Sequence, residues 1–166
     1  MARDKRLLKL VVPNADAETR VHHDHHLSVR LWLRMLACTN RIENFVRQNL
    51  QAKFETTLPR FDLMAQLERA PRGLKMSELS QRLMVSGGNV TGITDGLEKD
   101  GLVFREVDPA DRRVFYVKLS AEGQRQFRRM AAEHKQWLIE LFEGISVKNK
   151  KQLAELLGEL KQTIRP

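Results

Sequence analysis

Asn89, Thr91 and Thr94 lie in the stretch Gly88-Asn-Val-Thr-Gly-Ile-Thr-Asp-Gly-Leu-Glu-Lys99, whose small polar side chains suit contact with the edges of DNA bases. An asparagine amide can pair bidentately with adenine, and a threonine can meet a thymine methyl or a phosphate. Ser86, Gly87 and Gly88 precede them at a helix start, where free backbone N–H groups favour a phosphate. Ser86 is a candidate N-cap, as is Ser77 one helix earlier, and both are grouped with the DNA-facing residues. Arg112 and Arg113 end the turn Asp108-Pro-Ala-Asp-Arg-Arg113, and a minor groove of negative potential would draw them in. Taken alone, the first set also fits a solvated helix face and the second fits ordinary turn charges.

The surrounding chain supplies elements to position these residues. From Leu27 to about Leu50, the apolar residues Leu31, Met35, Ile42, Phe45 and Val46 recur at helical steps and predict a long amphipathic helix. Pro59 to Glu68 predicts a second helix, and Glu78 to Leu83 a short third one capped by Ser77. In the fourth, Gly88 to Lys99, Val90, Ile93 and Leu97 turn inward and Asn89, Thr91, Gly92, Thr94 and Asp95 turn outward or to the flank. Gly92 and Gly96 each weaken that helix by about 1 kcal/mol relative to alanine, which suits a backbone that must approach DNA closely, or is merely tolerated. Leu102–Val107 and Val114–Leu119 have strand composition around the turn and predict a β-hairpin. After the cap at Ser120, Phe127 to Ile145 marks a long amphipathic helix, and Leu153, Leu156, Leu157, Leu160 and Ile164 mark a last one.

At 166 residues with a formal charge of +8, the chain is sized for one domain and suits a polyanionic partner. Cys38, the only cysteine, forbids an intrachain disulfide and a cysteine-rich zinc site, in keeping with a reducing cytosol. It reads as a small buried apolar residue, with a reactive thiol as the alternative. His22, His25 and His26 have helical ligand spacing but sit in a polar segment without further ligands, so no metal and no cofactor is expected. Residues 1–12 faintly resemble a signal sequence; Lys9 and Pro13 interrupt the apolar run, which predicts a cytosolic arm and no membrane association. No nucleophile elbow or Walker loop is present, so no enzyme is expected.

Two short helices, a tight turn and a basic-tipped hairpin follow the order of a winged helix-turn-helix. The motifs Glu78–Leu83, Ser86–Thr91, Leu97–Val103, Asp108–Arg113 and Leu119–Gly123, in this order and spacing, resemble the multiple antibiotic resistance regulator (MarR) family. The resemblance implies a mainly helical fold with a small β-hairpin wing. It implies an arm over 1–26, a dimerisation helix over 27–58, a winged helix-turn-helix over 59–119 and C-terminal dimerisation helices over 120–166, all one structural domain. It further implies a homodimeric bacterial cytoplasmic regulator, usually a repressor, bound to a pseudo-palindromic operator in double-stranded DNA and released by a small ligand. By motif, Arg112 enters the minor groove and Asp111 with Arg113 braces the wing. Ala110 stands where some members carry a further arginine, which leaves open how Arg112 and Arg113 divide these roles.

The N-terminal half is similar to members that control aromatic-acid degradation and respond to an aromatic acid or its CoA thioester. Trp32, Arg34, Arg60 and Phe61 are the candidate ligand residues, because basic and aromatic groups suit an anionic aromatic. Two alternatives stand beside this reading. One is a thiol-based repressor that senses oxidation through Cys38; the other is an architectural DNA-binding or adaptor protein without sequence preference. The charge is unevenly spread: +4 over residues 1–70, +1 over 71–118 and +3 over 119–166. The reading region is nearly neutral, so a few placed residues would have to carry recognition.

Overall fold

A computed structural model describes residues 27–108, 111 and 113–164. The described chain runs α1 (Leu27–Phe54), α2 (Leu58–Glu68), α3 (Met76–Leu83), α4 (Gly87–Lys99), β1 (Val103–Val107), β2 (Phe115–Leu119), α5 (Ala121–Leu141) and α6 (Val147–Thr163). This is the mainly helical chain with a two-stranded hairpin expected from the sequence. Contacts divide the chain into two compact units, one ending at Phe45 and one beginning at Val46.

The first unit is described from Leu27 onward, as the opening turns of α1. Leu27, Val29, Leu31, Trp32 and Leu36 are exposed there. Cys38 is exposed as well, which corrects the expectation of a buried apolar cysteine.

The second unit holds a core of interlocking apolar stripes. Leu50 near the end of α1, Leu63 and Met64 of α2, Leu79 of α3, Val90 and Leu97 of α4, Val117 of β2 and Met130 of α5 are almost wholly excluded from solvent. α1 stops where Glu55 takes a left-handed φ of 51°, and Thr57 then caps α2 in an extended conformation with Pro59 in the first turn. Proline is tolerated there because a first-turn N–H has no partner within its helix.

β1 and β2 pair antiparallel from Val103↔Leu119 to Val107↔Phe115. Leu74, just ahead of α3, adds a two-way backbone bridge to Val117, with N···O distances of 3.1 and 2.9 Å, which straps the entry of α3 to the hairpin. α5 opens under the cap of Ser120, whose hydroxyl accepts the Gly123 N–H at 2.9 Å and donates to the Gly101 carbonyl at 2.7 Å. Gly123 is required at this junction: a Cβ there would lie 1.9 Å from the Leu102 carbonyl oxygen. The base of the hairpin and the start of α5 therefore meet backbone to backbone.

α5 brings Phe127 and His134 onto Phe61, with ring centroids 5.5 and 5.0 Å away, and Trp137 packs beside Phe54. Burial of His134 holds its pKa below the usual histidine value. In α6 no residue is buried; Val147, Leu153, Leu156, Leu157 and Ile164 are all exposed. No helix of the described residues is long and apolar enough to cross a membrane, and among them no group of three or more His, Cys, Asp or Glu is placed to hold a metal ion. His22, His25 and His26 lie outside the described residues.

Candidate nucleic-acid interface

α3, the turn Met84–Val85 and α4 form the helix-turn-helix, followed directly by the hairpin. Ser86 caps α4 as expected: its Oγ accepts the Asn89 N–H at 3.5 Å. Ser86, Gly87, Gly88, Asn89, Thr91 and Gly92 are exposed, and the Thr91 hydroxyl donates to the Gly87 carbonyl at 2.9 Å. A Cβ added at Gly87, Gly88 or Gly92 would meet nothing within 4 Å. The outer face of α4 is thus low, polar and uncovered by the described residues.

Thr94 departs from the sequence expectation of an outward or flanking base contact. It is completely buried, and its hydroxyl faces the Met76 sulfur at 3.8 Å. The reason is the 100° turn per residue: relative to Val90, Thr94 lies about 40° round the helix and Leu97 about 20° the other way, whereas Ile93 lies about 60° off. Thr94 therefore belongs to the core stripe with Val90 and Leu97, and Ile93 is only half-buried.

Ser77 likewise is not a cap. Lys75 holds that position, its N–H donating to Glu78 Oε2 at 2.8 Å, and Ser77 is an exposed residue of the first turn of α3. A carboxylate three residues beyond Lys75 moves the helix start ahead of the serine.

At the wing tip, Asp111 Oδ1 accepts the backbone N–H of Arg113 at 2.9 Å, and the Asp108 N–H donates to the Val114 carbonyl at 2.8 Å. Asp111 thus steadies the turn through the backbone. Arg113 is exposed beside it, and Arg112 lies outside the described residues.

One group escaped the sequence reading. Arg105, in the middle of β1, pairs with both Asp95 and Glu98 of α4, and its guanidinium lies 5.6 Å from the Phe115 ring centroid. It ties β1 to α4 and offsets one of the two carboxylate charges gathered there. A carboxylate pair at i and i+3 on a helix followed by an arginine in the next strand was the available signal. Lys118–Glu106 ties the two strands to each other.

The four candidate ligand residues fall apart by role. Phe61 is a core residue, held between Phe127 and His134, and this corrects its assignment to a ligand crevice. Arg60 pairs with Asp100 and lines a polar cleft of about 300 Å³ with Phe54, Thr56 and Gln126. A more apolar cleft of about 470 Å³ lies between the end of α1 and the start of α2, lined by Arg47, Gln51, Ala52 and Leu58 among others. Trp32 and Arg34 belong to the other unit, on the exposed side of α1.

These elements define a winged helix-turn-helix protein. A model of the MarR family matches residues 55–114. A MarR family transcriptional regulator from Silicibacter pomeroyi is 31% identical, with a TM-score of 0.72, and the match covers 83% of this chain and 95% of that one. The chain belongs to the MarR family of transcriptional regulators. Sco3205, a MarR family regulator from Streptomyces coelicolor solved in complex with DNA, shares the fold at 24% identity and a TM-score of 0.71, over 82% and 86% of the two chains. CouR from Rhodococcus jostii RHA1, solved bound to p-coumaroyl-CoA, shares it at 20% and 0.70, over 86% and 99%. YkoM of Bacillus subtilis, an HTH-type transcriptional regulator, is 34% identical over 50% of this chain, which spans 54% of that relative's length. Its relatives are named as regulators, not enzymes.

Proposed function

We propose that this protein is a homodimeric, sequence-specific DNA-binding regulator of the bacterial cytoplasm that represses transcription. α4 reads the major groove of a pseudo-palindromic operator, and the wing brings Arg112 or Arg113 to the adjacent minor groove. The observation that carries the proposal is the face of Ser86, Gly88, Asn89, Thr91 and Gly92, which is exposed among the described residues. A major groove about 12 Å wide admits such a helix, and its small side chains let the backbone come close.

The leucine stripe of α6 supports dimerisation, with 1–26 as an arm, 27–58 and 120–166 supplying dimer helices and 59–119 the reading head. An apolar face of this kind is stabilised when a partner covers it. Selection of binding sites from a random duplex library is the decisive experiment. A two-fold enriched motif with an operator-sized footprint is expected, and binding without sequence preference would replace this reading with the architectural one.

An aromatic acid or its CoA thioester is the proposed effector. The clefts beside α2, one apolar and one carrying Arg60, support an anionic aromatic, as does the acyl-CoA bound by a protein of the same fold. A thermal-shift screen of both classes tests it, because a ligand of the folded form raises the melting temperature. The exposure of Cys38 supports a second reading, a thiol-sensing repressor. Peroxide-induced release from DNA that Cys38→Ser abolishes would favour it over the aromatic effector.

A further inference from the structure

Among the described residues, Met84 is the large apolar side chain with the least cover, at 93% exposed. Its backbone is left-handed, at φ 54° and ψ 38°, as the C-cap of α3. A residue with a Cβ is strained there, and glycine is the usual occupant.

The surrounding hydrogen bonds leave the backbone no alternative. The Met84 N–H is held by the Gln81 and Ser80 carbonyls, the Val85 N–H donates to the Ser80 carbonyl at 3.2 Å, and the Ser80 hydroxyl donates to the Val85 carbonyl at 2.6 Å. The turn would close equally well on glycine, and with less strain. Neither packing nor backbone geometry accounts for a long apolar side chain held out in water.

Its position supplies a reason. Met84 stands two residues before the Ser86 cap, in the turn that leads into α4, whose first residues Gly87, Gly88 and Asn89 are exposed like Met84 itself. Resting on the DNA-reading proposal, we infer that Met84 is a specificity-determining contact: its thioether chain lies against a thymine C5-methyl at the edge of the major groove. That methyl is the apolar mark by which the major groove distinguishes thymine, and an unbranched thioether adapts to it without a fixed shape. The side chain then leaves water only when the correct base is present, so the strain of the turn is compensated in the complex and not in the free protein.

The test compares wild type, Met84→Gly and Met84→Ala on the duplex selected by the wild type and on the same duplex with deoxyuridine for thymidine. Met84→Gly should raise the melting temperature. Both variants should bind the thymidine duplex about three- to tenfold more weakly at fixed salt, the scale of one or two lost methyl contacts. On the deoxyuridine duplex all three proteins should bind alike. A variant that melts at or above the wild-type temperature and binds the thymidine duplex unchanged overturns the inference, as does a loss of the same size on both duplexes, which would mark a sugar contact. If the wild type enriches no sequence, the DNA-reading proposal falls and this inference with it; an enriched sequence indifferent to Met84 removes only the inference.

Discussion

Gly92 and Gly96 lie one turn apart on α4, and substituting each by alanine separates a requirement of the fold from a requirement of the ligand. A Cβ at Gly92 would meet nothing, so Gly92→Ala should gain the helix-propensity difference in full, about 0.5–1 kcal/mol. For a chain of this length that is a rise of about 2–4 °C per kcal/mol in melting temperature. A Cβ at Gly96 would sit 3.4 Å from the Arg60 guanidinium, at contact distance, so Gly96→Ala should gain less. DNA affinity should separate the two variants in the opposite sense. Gly92 faces outward beside Asn89 and Thr91, and a methyl intruding between helix and groove should weaken binding by about 1–3 kcal/mol per head, the usual scale of overpacking. Gly96 faces Arg60 inside the fold, so its variant should bind as wild type does. Melting curves and binding isotherms at one salt concentration provide both readouts. Equal affinity of Gly92→Ala and wild type would refute the close approach of α4 to DNA, and a lowered melting temperature would refute the open space above Gly92.

Four further expectations follow from the same geometry. Replacing Arg112 and Arg113 together by alanine should lower affinity and flatten its dependence on salt by about one unit of slope per lost phosphate contact; an unchanged slope would take the wing off the DNA backbone. Arg105→Met should lower stability by about 1 kcal/mol, make the hairpin easier to cut by protease and weaken DNA binding, because Asp95 and Glu98 lose their shared partner; the reversed pair Arg105→Glu with Glu98→Arg should recover part of the loss. His134 has a folded-state pKa held below its unfolded value of 6.5, so its contribution to stability is complete above that pH and is lost as pH falls through 6.5 toward the lower folded value; denaturation of His134→Phe should lack this component between pH 7 and 5. Leu156→Asp with Leu157→Asp on α6 should give a folded monomer in sedimentation at micromolar concentration, whereas a retained dimer would place the interface elsewhere.

Sequence periodicity was sufficient wherever one element's own pattern decides the outcome. The long helices, the break at Pro59, the caps at Ser86 and Ser120 and the hairpin around Asp108–Arg113 are all local: each depends on residues within one or two turns of one another. The family motifs carried the winged helix-turn-helix for the same reason, since they occupy one continuous stretch. Lys75 caps α3 in place of Ser77 because the Glu78 carboxylate reaches back to its N–H, a local interaction that competes with the serine hydroxyl.

What only the tertiary structure decided depends on what lies opposite each residue. Thr94 and Thr91 are the same amino acid three positions apart on one helix, yet Thr94 is buried with its hydroxyl on Met76 while Thr91 is exposed. Gly92 and Gly96 look alike in the chain until Arg60 is found beneath one of them. Phe61 could have lined a ligand site, but two rings of α5 take it into the core, while Arg60 beside it pairs with the end of α4 and borders a cleft. The link from Arg105 to Asp95 and Glu98 joins a strand to a helix across a turn, and it offsets one of those two negative charges. By itself the sequence determined the elements and their order, because these follow from backbone geometry and nearest neighbours. The partner of each face was decided by packing, because burial is a property of the surface that arrives from elsewhere in the chain.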